Sequence, residues 1–212
     1  MRTVLVLAAV LGAVTFVSAQ ERPVPPEEVP PRFGLPYRVR TYPQATPKQA
    51  LESVLAAADR GDVNYLVAHL LDPAFVDARV ADRSQQFEPT IADDLARLRD
   101  FQRRNPDQTP SNARLPDDPV KFQARVIADA RTRAFNQITR DVREKLIDDP
   151  EVLKDLRRFY RQGTFPEAGG DITAKVGLPD VKDRAVFLKK IGDRWYIENR
   201  QTDDKGPGLK KE

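Results

Sequence analysis

The chain has 212 residues, with 35 Lys or Arg against 32 Asp or Glu, no Cys and a single His. This near balance of charge argues against nucleic-acid binding, which depends on clustered Lys and Arg that neutralise phosphates. The lack of cysteine excludes a thiolate nucleophile, a lipidated lipobox cysteine and any cysteine-ligated metal, and one histidine excludes a metal site built from several. Because phosphate-loop, dinucleotide-binding and EF-hand motifs are also missing, the sequence assigns no catalytic residue, cofactor or metal ligand.

The N-terminus has the pattern of a secretory signal peptide. Met1 and Arg2 give a positive start, residues 3–17 are almost wholly apolar, and the run ends in small residues at Ala19 before the chain turns polar. The apolar run is shorter than the roughly 20 residues of a membrane-spanning helix. We therefore expect a signal peptide over residues 1–19, cleaved between Ala19 and Gln20. The mature protein would then be secreted or periplasmic, with no transmembrane anchor after cleavage.

Residues 20–46 are rich in proline and are interpreted as a linker arm. This proline density blocks helix and central strand and favours polyproline II, which makes a semi-rigid spacer. A docking peptide for a partner is the alternative. The arm also carries five apolar side chains, which leave open that part of it lies against the folded domain: Phe33, Leu35, Tyr37, Val39 and Tyr42.

A single domain is predicted over residues 47–200, opening with a helical hairpin. Thr46 and Pro47 form a typical helix start, and Gly61 stops the first helix. Asp62 is expected to cap a second helix that ends at Asp72, so the Arg-Gly-Asp tripeptide at 60–62 is interpreted as a turn rather than an integrin-binding motif. Residues 74–81 fit a strand or a helical turn, and residues 89–103 fit a helix.

Two more helices and three strands follow the proline-rich loop at 105–119. Acidic pairs before Pro119 and Pro150 cap a long helix and a shorter one that ends at Gly163. After residue 170 the apolar residues alternate with polar ones, which predicts three antiparallel strands and then a polar tail at 201–212. The fold class is therefore α+β, with an N-terminal helical hairpin and long helices packed on a C-terminal three-stranded antiparallel sheet.

The final strand pair, residues 183–199 (DRAVFLKKIGDRWYIEN), resembles the last hairpin of the nuclear transport factor two-like superfamily, also called cystatin-like or SnoaL-like. The opening helix, residues 46–62, resembles the first helix of that superfamily, which also ends in a glycine-aspartate turn. The resemblance implies a cone-shaped pocket between sheet and helices. Some members are isomerases or dehydratases that use Asp, His or Tyr, but none of their catalytic residues can be matched to this chain. An enlarged helical middle and only three strands depart from the family.

Four residues are candidates for lining such a pocket: Tyr65, His69, Trp195 and Tyr196. His69 is interpreted as a half-buried, hydrogen-bonded residue at a helix boundary, with a general base as the alternative. Trp195 and Tyr196 are adjacent on a strand and so point to opposite faces. We expect one of them to enter the core and the other to face a groove or solvent.

Charged clusters are interpreted as structural. Adjacent carboxylates on a helix point apart, so pairs such as Asp93-Asp94 make a poor proton-sharing or cation-binding dyad. The basic cluster at Arg157, Arg158 and Arg161 alternates with acids, which is typical of a solvated helix face, although an anionic partner is an alternative.

The leading functional hypothesis is a secreted or periplasmic, non-enzymatic module that binds an unknown protein or a small apolar ligand between sheet and helices. One alternative is a cofactor-free lyase or isomerase in the same concavity, using carboxylates, a tyrosine or His69. Another is a structural envelope protein attached through the arm. An enclosed cavity with a buried carboxylate favours the enzyme, and a filled core favours the interaction module.

Overall fold

The computed structural model describes residues 30–166, 172–178 and 180–200. Within these ranges five α-helices precede a three-stranded antiparallel sheet, which confirms the predicted α+β fold class. The predicted signal peptide with its cleavage site, the first part of the arm and the polar tail lie outside the described residues. None of the helices in the described part is long and apolar enough to cross a membrane.

The predicted helical hairpin is present, and its first turn is capped as expected. Helix α1 spans Pro47–Asp59, and Thr46 Oγ1 accepts a hydrogen bond from the Gln49 amide at 3.1 Å. Gly61 ends it with a φ of +71°, a left-handed conformation that glycine adopts without strain. Helix α2 spans Val63–Tyr65 and continues directly into a π-helical turn at Leu66–Leu70.

The prediction that Asp62 caps the second helix is wrong. Its side chain makes no capping hydrogen bond. Instead its carboxylate accepts a hydrogen bond from the Tyr42 hydroxyl and lies 3.5 Å from the Arg38 guanidinium. Both partners belong to the proline-rich arm, so a long-range contact has replaced the local one.

Helix α3 spans Pro73–Arg104 without interruption, although Pro89 lies inside it. Residues 74–81 are therefore helical, and the prediction that a separate helix begins at residue 89 is wrong. Proline removes one helical donor and crowds the carbonyl four residues earlier. Gln85 and Pro89 both lie on the exposed side of α3, where water can hydrogen-bond that carbonyl.

The next two helices begin at the predicted caps. Helix α4 spans Pro119–Val142 and runs into a π-helical turn at Arg143–Ile147, and helix α5 spans Pro150–Gln162. Asp118 accepts from the Val120 amide at 2.8 Å, and Asp149 accepts from the Glu151 amide at 3.0 Å. The capping interpretation of these acidic pairs is confirmed. Gly163 follows α5, where any β-carbon would overlap the Val176 side chain.

The sheet has the order β1-β2-β3, with strands at Thr173–Leu178, Val181–Ile191 and Arg194–Ile197. Val176 pairs with Val186 and Lys190 pairs with Trp195, both in antiparallel register. The β2–β3 turn contains Gly192 at a φ of +62°. The predicted meander is thus confirmed, and it gives the helices one apolar face to pack on.

Three buried clusters hold these elements together. The first joins the sheet to α1 and α5 and includes Leu51, Phe159 and Trp195. The second joins α2 and the following π-helical turn to the proximal ends of α3 and α4 and includes Val80 and Phe135. The third is formed by the arm, α1 and the residues that follow Gly61. Its buried members are Tyr42, Val54, Ala57, Tyr65, Leu66 and Leu70.

The far halves of α3 and α4 pack on each other rather than on the body. The proximal ends hold the second cluster, and the two helices make their principal contacts with one another. We call residues 88–130 the distal hairpin. Its α3 part, residues 88–104, extends about 25 Å at the helical rise of about 1.5 Å per residue. The fold therefore consists of a body with a two-helix projection.

Candidate functional site

The four predicted pocket residues are all buried, and β3 separates them into two groups. Tyr65, His69 and Tyr196 lie beneath the proline-rich arm. Trp195 points to the other face of β3, into the first cluster with α1 and α5. The structure therefore brings three of the four candidates to one region, which we call the arm-covered cluster, and it places the tryptophan in the core.

His69 lies at the centre of the arm-covered cluster. Its Nε2 lies 2.9 Å from the carbonyl oxygen of Leu35, and because that oxygen accepts, the imidazole donates. The ring centroids of Tyr65 and Tyr37 lie 4.8 and 5.8 Å from its own. Burial lowers the pKa of His69 below its usual value, and the positive charges of nearby arginines add to this effect. At neutral pH the ring is therefore uncharged, and its Nε2 proton is donated to the arm.

Tyr65, another member of the arm-covered cluster, is also hydrogen-bonded to the backbone of the arm. The Tyr65 hydroxyl accepts a hydrogen bond from the Arg38 amide at 3.1 Å, and its ring lies 4.6 Å from that of Tyr42. Burial raises the pKa of Tyr65 to about 12. A phenol with this pKa stays protonated at neutral pH, so Tyr65 is poorly suited to act as a base.

Tyr196 is buried like Trp195, which corrects the expectation that one of the pair faces a groove or solvent. The arm provides the cover. The Arg194 guanidinium carbon lies 4.5 Å from the ring centre of Tyr37 and 6.0 Å from that of Tyr196, so a cation bridges the two rings. Burial raises the pKa values of both phenols.

Gln44 joins the arm to the π-helical turn at Leu66–Leu70 and to β3. Sequence reasoning missed this residue. Its side-chain nitrogen donates to the carbonyl oxygens of His69 at 3.0 Å and Trp195 at 2.8 Å. The Trp195 amide in turn donates to the Gln44 carbonyl at 2.9 Å. Residue 44 is thus hydrogen-bonded to β3 through both its backbone and its side chain. A glutamine among prolines has no distinctive pattern, so only the apolar residues around it hinted at contact with the domain.

The space between the sheet and α1 is filled with side chains of the first cluster. Surface hollows lie elsewhere on the described residues. One of about 390 Å³ borders β1, beside Lys175 and Leu178. Another of about 230 Å³ lies along α5 and is lined by Lys154, Arg157, Arg158, Arg161 and Gln162.

The α5 hollow is basic, but ion pairs compensate much of its charge. Arg157 pairs with Asp59 at 2.6 Å, Arg158 pairs with Asp180, and Lys154 lies 3.0 Å from a carboxylate on its own helix. Such pairing is typical of the solvated helix face that the charge pattern indicates. Among the residues that the structure describes, no group of three or more His, Asp or Glu side chains is arranged to hold a metal ion.

The lowered pKa of His69 predicts that the stability of the fold depends on pH. Because its folded pKa lies below the unfolded value of about 6.5, its contribution to stability is present above that pH and is lost as the pH falls through the folded pKa. The groups that face it are Arg32, Arg38 and Arg194 with the phenols of Tyr37 and Tyr65.

We expect the wild-type free energy of unfolding, measured by urea titration, to fall between pH 7 and pH 5. His69 is the only histidine in the chain, so His69→Gln should flatten this part of the profile. Retention of the wild-type slope in the variant would show that another group is responsible.

Comparison with known proteins adds no relative on which to base a function. No family model matches the chain, and searches of curated proteins and of solved structures likewise found no match.

Proposed function

We propose that this chain is a secreted or periplasmic, non-enzymatic interaction module that binds a protein partner through the distal hairpin. The proposal rests on the positions of the large hydrophobic side chains that the fold leaves exposed to water. Of the seven that are exposed within the described residues, four belong to this hairpin. They are Leu98 (44% exposed), Phe101 (51%), Val120 (78%) and Ile127 (38%).

The body offers little to a small ligand, and this supports a protein partner. The concavity where a small apolar ligand or a substrate would bind is filled by the first cluster. The side chains that acid–base chemistry would use, His69 and Tyr65, lie in the arm-covered cluster and are hydrogen-bonded to arm backbone instead. A helical projection with exposed Leu and Phe is, by contrast, a common way for one protein to present anchors to another.

Site-specific photo-crosslinking in the producing cells tests this proposal. A photoreactive phenylalanine analogue at residue 101 should give discrete covalent adducts, and a second analogue at residue 120 should report the other helix of the hairpin. Val39 is the matched control, because it is 47% exposed but lies on the arm. We expect adducts from the hairpin positions and few from residue 39.

The proposal is wrong if residue 39 gives the same adducts in the same yield, or if the hairpin positions give none. Mass spectrometry of each adduct identifies the partner, and it separates a second copy of this chain from a different protein.

A further inference from the structure

The exposed side of α5 carries the basic hollow of about 230 Å³, and every side chain that lines it can donate hydrogen bonds. The lining consists of four cations and one amide: Lys154, Arg157, Arg158, Arg161 and Gln162. Because they follow one another at steps of three or one residues, they are neighbours on one side of the helix. Leu153 and Phe159 are buried on the other side, so the hollow lies outside the filled concavity of the body.

Ion pairs leave this hollow with one cation in excess. Lys154, Arg157 and Arg158 each have an acidic partner, but all three pairs lie at the surface, where such contacts are weak and are readily exchanged. Arg161 is exposed in the last turn of α5, and within the part of the chain that the structure describes it forms no ion pair. An anion entering the hollow would therefore meet one unopposed guanidinium and three cations whose present partners are weakly held.

The lining also keeps donors that its present contacts do not use. A guanidinium carries N–H groups on three nitrogens. Arg157 donates to Asp59 through Nη2, and Arg158 donates to Asp180 through Nη2 and to Gln162 Oε1 through Nε at 3.3 Å. Since that bond engages the amide oxygen of Gln162, its amide nitrogen is the group left for a ligand. The hollow therefore offers unused N–H donors from three arginines and a glutamine.

We propose that this hollow binds a phosphate group, carried either by a soluble phosphoester or by the head group of an anionic lipid. A carboxylate has two oxygens, which a single arginine fork can satisfy. A phosphate monoester has three acceptor oxygens and nearly two negative charges at neutral pH, so it can accept from Arg157, Arg158 and Arg161 together. The volume lies below the range of about 300–1,000 Å³ of pockets for drug-sized ligands, which suits a small charged group. The inference goes beyond the proposed function, because α5 is not part of the distal hairpin.

A nuclear magnetic resonance titration of the signal-free chain with inorganic phosphate and with glycerol phosphate tests the site. Saturable shifts should centre on the amides of residues 154–162. Arg161→Gln should raise the dissociation constant at least about tenfold, because charge-assisted hydrogen bonds to the phosphate are lost. Arg79→Gln is the matched control. It removes the same charge from an exposed position of α3 outside the hollow, and it should change the dissociation constant less than about twofold.

A second pair of variants tests whether the present ion pairs compete with the ligand. Asp59→Asn frees Arg157 and removes a negative charge beside the hollow, so it should lower the dissociation constant several-fold. Asp82→Asn removes the same charge from an exposed position of α3 and should leave the affinity unchanged. Equal affinities in these two variants would mean that phosphate binds elsewhere. Circular dichroism checks that each variant folds.

Co-sedimentation with vesicles distinguishes the two sources of the phosphate. If a lipid supplies it, vesicles that contain phosphatidylglycerol should sediment the wild-type chain but not Arg161→Gln, and pure phosphatidylcholine vesicles should leave both in solution. If a soluble phosphoester supplies it, glycerol phosphate should bind while neither kind of vesicle does.

The proposal is overturned if neither phosphate nor anionic vesicles bind, or if Arg161→Gln binds them as well as Arg79→Gln does. Crosslinking from residue 101 does not depend on α5. Adducts at the hairpin together with a failed phosphate titration would therefore refute only the phosphate site, and the reverse result would refute only the proposed function.

Discussion

Tyr42→Ala is expected to lower the free energy of unfolding by about 3–5 kcal/mol, the usual cost of removing a fully buried aromatic ring. Tyr42 belongs to the proline-rich arm, yet it is 0% exposed and packs among Val54, Tyr65 and Leu66. Its hydroxyl also donates to the Asp62 carboxylate. The substitution removes both the packing and the hydrogen bond. The protein should therefore lose much of its stability, although residues 47–200 are unchanged.

Two further variants separate these contributions, with urea unfolding followed by circular dichroism as the measurement. Tyr42→Phe removes only the hydroxyl and should cost about 1–2 kcal/mol, because the acceptor is charged. Val39→Ala changes an exposed side chain of the same arm and should alter stability by less than about 0.5 kcal/mol. A loss of under about 1 kcal/mol for Tyr42→Ala would mean that the arm does not belong to the core.

Trp195→Ala should be comparably destabilising, again by about 3–5 kcal/mol. Trp195 packs in the first cluster, where the sheet meets α1 and α5 around Leu51, Leu188 and Phe159. Its backbone is also bonded in both directions to Gln44. An empty space at this position would loosen the contact between the sheet and two helices at once.

Urea unfolding of the Trp195 variant is followed by circular dichroism, since Trp195 is the only tryptophan of the chain. Trp195→Phe retains an aromatic ring and should recover much of the loss. Ile191→Ala, at an exposed position of the same sheet, serves as the control and should be nearly neutral. An alanine variant with wild-type stability would instead favour the alternative that this side chain is kept for contact with a ligand.

The local rules of the sequence predicted most of the helices and all three strands. Thr46, Asp118 and Asp149 cap helices because a side-chain oxygen followed by proline is a local signal that needs no distant partner. The alternation after residue 170 likewise reflects strands that bury every second side chain, as β1 does at Ala174, Val176 and Leu178. Such features are encoded within a few residues, and sequence patterns detect them reliably.

The features that sequence reasoning missed all depend on distant contacts. Pro89 reads as a helix start, but packing of α3 against α4 on either side of it keeps the helix continuous. The proline density of the arm indicates a spacer, whereas its aromatic residues pack over the His69 region. Phe33 stacks on Phe135 with ring centres 4.3 Å apart, and Leu35 accepts from His69. The apolar side chains were the available signal, but no pattern specified which surface they cover.

Hydrogen–deuterium exchange tests most directly whether the body is closed by its arm while the hairpin projects from it. The Leu35 and Tyr42 amides donate to arm carbonyls at 2.9 and 3.0 Å, and the Arg38 amide donates to Tyr65. At low protein concentration we predict that these amides exchange nearly as slowly as those of β2, while residues 88–104 exchange faster. Arm amides that exchange at the rate of an unstructured peptide would contradict the account, because the cluster around His69 would then be open to ligands.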